Sequence, residues 1–156
     1  MKLDFQLMCQ QHMHEVHAID EANNQFEAWG QKKYDRMKLE KKTWAEVVLN
    51  PHGKVVGHYV YKLAEKKIFL YKMEVSPEPG YENVPKSILD ILLRKLIPNK
   101  REQIEIILPD RSEYLNMHIF YKKLGFKAEI VSNFFGFDEN GDKNDGYKFV
   151  YERGQN

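Results

Sequence analysis

The chain has 156 residues, 42% hydrophobic and 30% charged, with 24 Lys and Arg against 23 Asp and Glu. That length suits one domain over 1–156 with a core needing no staples, and the near balance of charge lacks the basic footprint expected of a duplex nucleic-acid binder. A single cysteine, Cys9, excludes an internal disulfide framework and a multi-cysteine zinc site. No run approaches the 18 consecutive apolar residues of a membrane span, and Asp4 interrupts the start where a leader would be apolar. The expected setting is reduced and cytoplasmic, with no membrane and no nucleic-acid partner.

Met8, Met13, Val16, Ala18 and Ile19 lay a partial apolar face across 7–20, which predicts a helix. Residues 22–29 are polar apart from two large aromatics, Gly30 punctuates, and a charged helical stretch follows over 31–42. Residues 45–49 and 54–63 are rich in Val and Tyr and flank Asn50-Pro51-His52-Gly53, a strong turn signal. With 67–75 they predict an antiparallel three-stranded meander. Pro77, Pro79, Gly80 and Pro85 mark 76–85 as a loop. Ile88, Leu89, Ile91, Leu92, Leu93 and Leu96 then build the apolar face of a helix that Pro98 stops. A short strand over 103–108 precedes a second amphipathic helix over 112–124, with Gly125 at its C-cap. Residues 126–135 and 147–151 read as closing strands around a polar hairpin loop. This order implies an α/β (α+β) layering of helices on one mixed sheet.

Two metal-like patterns fail on their own terms. His12-x-His14-Glu15-x-His17 is one residue short of the zinc motif His-Glu-x-x-His and has no evident third ligand. Asp138-x-Asn140-x-Asp142 starts like a calcium loop, but Lys143 and Phe149 stand where its glycine and glutamate belong. No metal is expected.

Several segments fall into a common register. Residues 116–126, Asn-Met-His-Ile-Phe-Tyr-Lys-Lys-Leu-Gly-Phe, look like a helix ending in Tyr-x-x-x-Gly-Phe. Val55-Val56-Gly57 is similar to a Val-x-Gly strand, and Val75-Ser76-Pro77 to the Val-x-Pro that closes the strand before a phosphate-binding loop. Ile19-Asp20, Trp29, Ser132-Asn133-Phe134-Phe135 and Gly146-Tyr147 complete the set. Together they resemble the GNAT superfamily of acyl-CoA-dependent N-acetyltransferases, and within it the RimI-like protein N-terminal alanine acetyltransferases. The resemblance implies the GNAT fold, with a mostly antiparallel central sheet flanked by helices.

The same resemblance implies acetyl-CoA as co-substrate and an amine acceptor, attacking the thioester directly in a ternary complex. The acceptor would be the α-amine of a protein or peptide N-terminus, or alternatively a small amine or a lysine side chain. Tyr121 falls on the position of the tyrosine that protonates the leaving thiolate, and a phenol with an ordinary pKa near 10 is protonated at neutral pH. The glutamate that serves as base in RimI-like proteins falls on Pro109, which cannot ionise. Glu105, four residues earlier on the same strand face, and the nearby acids Glu74 and Asp110 are the alternative bases, each acting through a water. His118, three residues before Tyr121, shares its helix face. Met73, Val75 and the stretch Gly80, Tyr81, Glu82, Asn83, Val84, Pro85, Lys86 and Ser87 fall on the cofactor-binding positions. Asp20, Phe26, Trp29, Phe134, Phe135 and Tyr147 fall on the acceptor side, although core packing also accounts for such aromatics.

The phosphate loop departs from the family pattern. Gly80 replaces its arginine, and Asn83 and Pro85 replace its two glycines. Pro85 has no N–H to offer a phosphate, and Glu78 and Glu82 add carboxylates where phosphates should lie. Two functions therefore stand side by side: an acetyl-CoA-dependent N-acetyltransferase, and a non-catalytic GNAT-fold binding module that has lost acetyl-CoA affinity.

Overall fold

The computed structural model describes residues 1–23, 29–132, 134–136, 141 and 145–152. Among the described residues there are seven strands: β1 Asp4–Leu7, β2 Thr43–Leu49, β3 Val55–Leu63, β4 Lys67–Val75, β5 Gln103–Pro109, β6 Lys127–Val131 and β7 Gly146–Glu152. Four α-helices accompany them: α1 Met13–Asn23, α2 Gln31–Leu39, α3 Val84–Leu93 and α4 Leu115–Lys123. The strands form one sheet in the order β1-β2-β3-β4-β5-β7-β6. Every pairing is antiparallel except β4 with β5. This is the mixed, mostly antiparallel sheet flanked by helices that the sequence implies.

Local chemistry accounts for the joints. In the β2–β3 turn, Asn50 Oδ1 accepts the N–H groups of His52 and Lys54 at 2.9 and 3.0 Å, the side-chain mimicry of a turn that asparagine favours. After α4, the Phe126 N–H donates to the Tyr121 carbonyl and the Gly125 N–H to that of Lys122. That pattern closes a helix through a left-handed residue, and Gly125 has the required φ of 102°.

Several boundaries differ from the sequence expectation, three of them with a clear consequence. The helix expected from residue 7 starts at Met13, because Asp4–Leu7 pairs with β2 as an edge strand. Pairing partners, invisible in a four-residue stretch, override its weak local pattern. Helix α3 begins at Val84, two residues earlier than the loop composition implies, since proline is accepted in a first helical turn. Strand β6 ends at Val131 rather than continuing to 135.

Two apolar layers cover the sheet. On one face α3 and α4 bury Ile88, Leu89, Leu92 and Tyr121 against Ile68, Leu70, Ile104 and Phe149. On the other, α1 and α2 bury Val16, Ile19, Tyr34 and Met37 against Val47, Val55 and Val60. The detail that positions the site is the β4–β5 ladder, which pairs only Lys67–Phe69 with Gln103–Glu105. Beyond Phe69 the two parallel strands have no further pairing, and the sheet opens between them.

Candidate active site

Two cavities, of about 350 and about 340 Å³, lie at this opening. The first is lined by the end of β4, the loop after it, and Asn116, Met117, Phe120 and Tyr121 of α4. The second lies toward α2, with Trp29, Lys33, Tyr71, Lys72, Phe134 and Phe135 in its wall. Met73, Glu74 and Met117 belong to both, so the two meet where β4 and β5 part. A bulge helps create this meeting point. The β3–β4 register slips so that Val60 pairs Lys72 while Tyr61 pairs Leu70, leaving Tyr71 as an extra residue. Leu70 and Met73 consequently both enter the α3/α4 core while Tyr71 packs on the other layer, the re-aiming that bulges produce.

Glu74 is 8% exposed at this junction. Asn23, the last residue of α1, donates through Nδ2 to Glu74 Oε2 at 3.1 Å and to the Val75 carbonyl at 2.6 Å. Burial pushes the Glu74 carboxyl up to about 7, against the opposing pull of the Lys72 ammonium and the Asn23 hydrogen bond. A carboxyl so poised exchanges protons near neutral pH. Tyr121 lines the first cavity with it; its Oη is buried and has no hydrogen-bond partner among the described residues. Burial, assisted by the negative charge of Glu74, raises the phenol well above its ordinary value, so Tyr121 is a proton donor and not a phenolate. The structure thus brings Glu74 and Tyr121 together.

A buried polar cluster stands behind the second cavity. Tyr34 Oη donates to Asp20 Oδ2, while His58 Nε2 and Lys72 Nζ lie 2.9 and 3.2 Å from Asp20 Oδ1. Asp20 and His58 are fully buried. Burial favours a neutral Asp20, but His58, Lys72 and Tyr34 outweigh it and hold the carboxyl below its usual range. Burial likewise lowers His58, which is a neutral imidazole. Asp20 therefore corrects the expectation of an acceptor-binding acid: its carboxylate is enclosed by protein groups and unavailable to a substrate amine.

Glu105 is also corrected as a base. It shares a strand face with Pro109, but it sits at the paired end of β5, 2.6 Å from Lys67 Nζ and 3.8 Å from Lys148 Nζ. It lines neither cavity. Tyr147 packs against His118, ring centroids 5.1 Å apart, on the α4 face rather than the acceptor side. His118 Nε2 donates to the Pro109 carbonyl at 2.9 Å, a structural bond that ties α4 to the end of β5. Trp29, Phe134 and Phe135 do meet in the second cavity. Gly146 permits this, since a Cβ there would lie 3.0 Å from the Phe135 ring and 3.3 Å from Phe134 Cβ. Phe26 lies outside the described residues, as does the 137–140 and 142–144 portion of the calcium-like loop. Among the described residues no three His, Cys, Asp or Glu side chains cluster as a metal site.

The cofactor-side stretch divides in two. Met73, Val75, Tyr81, Glu82 and Pro85 line the first cavity, whereas Gly80, Asn83, Val84 and Ser87 line a separate hollow beside Met1 and Leu3. Lys86 points along the helix toward Asp90, 4.0 Å away. The Gly80 N–H donates to both carboxylate oxygens of Glu82, at 3.1 and 3.0 Å, and Glu78 pairs with Lys54 at 3.0 Å. Tested against acetyl-CoA, the reacting end fits: an unpartnered buried phenol and the unpaired edge of β4 face an apolar passage suited to an acyl thioester and its arm. The diphosphate end fits poorly, because one loop N–H is occupied by a carboxylate and Pro85 has none.

Asn23, Lys72, His58 and Tyr34 were not evident from the sequence. Nothing local marks them, since their roles depend on α1, α2, β3 and β4 meeting in space. The nearest signal was His58 within a continuous apolar strand, where a polar ring needs a partner.

The sequence matches no family profile, and no curated protein matches it. Solved structures do share its fold. One is a protein of Desulfovibrio desulfuricans assigned to the GNAT family, with a TM-score of 0.76 and 16% identity over 97% of this chain and 99% of that one. Another is the ribosomal-protein-S18-alanine N-acetyltransferase of Escherichia coli, with a TM-score of 0.68 and 12% identity over 97% and 94%. A third is Arabidopsis thaliana NAA60 in complex with a bisubstrate analogue, with a TM-score of 0.69 and 10% identity over 99% and 100%. The fold is that of the GNAT acetyltransferases.

Proposed function

We propose that this protein is an acetyl-CoA-dependent N-acetyltransferase whose acceptor is a primary amine, with a protein or peptide N-terminus as the leading candidate. The observation that carries this reading is the meeting of the two cavities at Glu74, with Tyr121 in the wall of the first. Bound acetyl-CoA supplies an acyl group activated as a thioester. The first cavity receives its reacting end, with Met73, Val75, Met117 and Phe120 excluding water. The second admits the amine. Glu74, as carboxylate, removes the proton from the amine, whose nitrogen bonds to the acetyl carbon as the carbon–sulfur bond breaks. Tyr121 Oη delivers a proton to the departing sulfur. Asn23 holds the Glu74 carboxylate toward the junction, and His118 anchors the helix that carries Tyr121.

The test is titration of acetyl-CoA into the protein by calorimetry, with desulfo-CoA as the comparison, followed by chromatographic detection of acetylated peptide. Micromolar binding with product formation supports the reading, and no binding at millimolar concentration removes it. A second reading, a binding module that has lost the cofactor, is favoured by one observation, the Glu82 carboxylate on the Gly80 N–H. Asn83→Gly with Pro85→Gly separates the two: CoA binding tightens in a weak enzyme and is unchanged in a rebuilt cleft.

A further inference from the structure

The second cavity carries more information than its position. Trp29, Phe69, Tyr71, Tyr114, Phe134 and Phe135 all line it. Phe69 and Tyr71 lie with ring centroids 4.9 Å apart, and Phe134 and Phe135 5.0 Å apart edge to face. Such a wall suits a large apolar body, since aromatic side chains supply extensive contact area at low entropic cost.

Its charges are placed unevenly. Glu74 stands at the inner end, shared with the first cavity, and Glu40 also belongs to the lining, near Tyr71. Two ammonium groups stand along the wall: Lys33 Nζ lies 4.4 Å and Lys72 Nζ 5.2 Å from the centroid of the Trp29 ring. The face of Trp29 that could otherwise attract a ligand cation thus already interacts with the protein's own. Lys72 is 6% exposed and is clamped by buried Asp20, which keeps its charge at the wall. A ligand bearing a second positive charge therefore finds the Trp29 ring already engaged by two ammonium groups.

Resting on the acetyltransferase reading, we infer that the acceptor is a primary amine joined to one large apolar or aromatic group, and that the site rejects amines carrying a second cation. Two sources offer this chemistry: a free arylalkylamine, and a peptide whose first residue is large and apolar. In either, the amine reaches Glu74 while the apolar group lies among the aromatic rings.

The experiment compares four acceptors with the full chain and acetyl-CoA: phenethylamine, 1,5-diaminopentane, and two peptides differing only in Phe or Ala as first residue. The expected kcat/KM for phenethylamine or the Phe peptide exceeds that of the diamine and the Ala peptide by about tenfold or more, as burial of one aromatic group implies. Which of the two favoured acceptors leads identifies the source. Phe135→Ala, at a 41% exposed position, is expected to shrink that preference. Equal or better turnover of the diamine and the Ala peptide overturns the inference. Ligand-observed NMR of the same four compounds, without acetyl-CoA, separates it from the reading beneath it. Preferential binding of the aromatic amines without any turnover upholds the inference while the catalytic reading fails; no preference in binding overturns the inference itself.

Discussion

Glu82 turns its carboxylate back on the loop that carries it, accepting the Gly80 N–H through both oxygens at 3.1 and 3.0 Å. These backbone bonds lower the Glu82 pKa, so the carboxylate is charged at neutral pH. It is an internal anion at the place where the diphosphate of a CoA ester would seek donors. Glu82→Ala removes the competing charge and frees the N–H. Calorimetry is expected to show acetyl-CoA binding several-fold tighter than in the unsubstituted protein, with the gain fading as salt screens the phosphates. Unchanged affinity at low salt would show that the diphosphate does not approach this loop.

Glu74 predicts two opposite responses to pH. As base it acts only when ionised, so kcat/KM rises with pH through about 7. Stability moves the other way. The folded value lies above the unfolded 4.5, so the native protein holds the proton longer than the unfolded chain does. The native state is therefore favoured fully below about 4.5 and loses that advantage as pH rises through 7, on the order of 3 kcal/mol in all. Glu74→Gln keeps the shape and an acceptor for Asn23 but never ionises. Thermal melts are expected to show it more stable than the unsubstituted protein at pH 8 and nearly equal to it at pH 4.5, with turnover reduced about a hundredfold or more at pH 8 and by far less at pH 4.5, where the unsubstituted carboxyl is itself protonated.

Tyr121→Phe tests the acid without disturbing the packing. The hydroxyl is buried and unpartnered, so its removal relieves a desolvated polar group and is expected to leave the melting temperature unchanged or slightly raised. Steady-state kinetics should show kcat reduced roughly a hundredfold with acceptor KM little changed, the signature of a group that acts in the transition state. A drop in stability equal to the loss of activity would instead assign Tyr121 a structural role.

How far the sequence carries the reader differs by level. Helical periodicity locates α3 and α4, and Val- and Tyr-rich runs between turn signals locate β3 and β4, to within about three residues. The sequence also names Glu74 and Tyr121 as candidates, Tyr121 by the register of its helix and Glu74 only as one of several nearby acids. What could not be read was the distinction between Glu74 and Glu105. Both are buried acids on adjacent strands, and only the point where the β4–β5 ladder ends places one at the opening and the other at the closed end. Asp20 was misread for a related reason. Its partners Tyr34, His58 and Lys72 come from three separate elements, and no spacing in the chain reports that they enclose it.

That enclosed carboxylate supports the last prediction. Asp20→Asn leaves the Lys72 ammonium buried without its counter-charge, and breaking one partner of such a pair costs about 3–5 kcal/mol. For a chain of this size the melting temperature at pH 7 should fall by roughly 10 °C or more. The sign of the pH dependence follows from the direction of the shift. Asp20 is held below its ordinary 3.8 in the folded state, so its contribution is complete above that value and disappears as pH falls through the folded pKa. The gap between Asp20→Asn and the unsubstituted protein should accordingly narrow below about pH 3.8. Buried neutral His58 adds a separate loss as pH falls below 6.5, since the unfolded chain takes up a proton that the folded imidazole resists. Adding Lys72→Met to Asp20→Asn removes the stranded charge and is expected to recover most of the lost stability at pH 7. If the double variant melts no higher than Asp20→Asn alone, the cost lies in the Tyr34 and His58 contacts rather than in the ion pair.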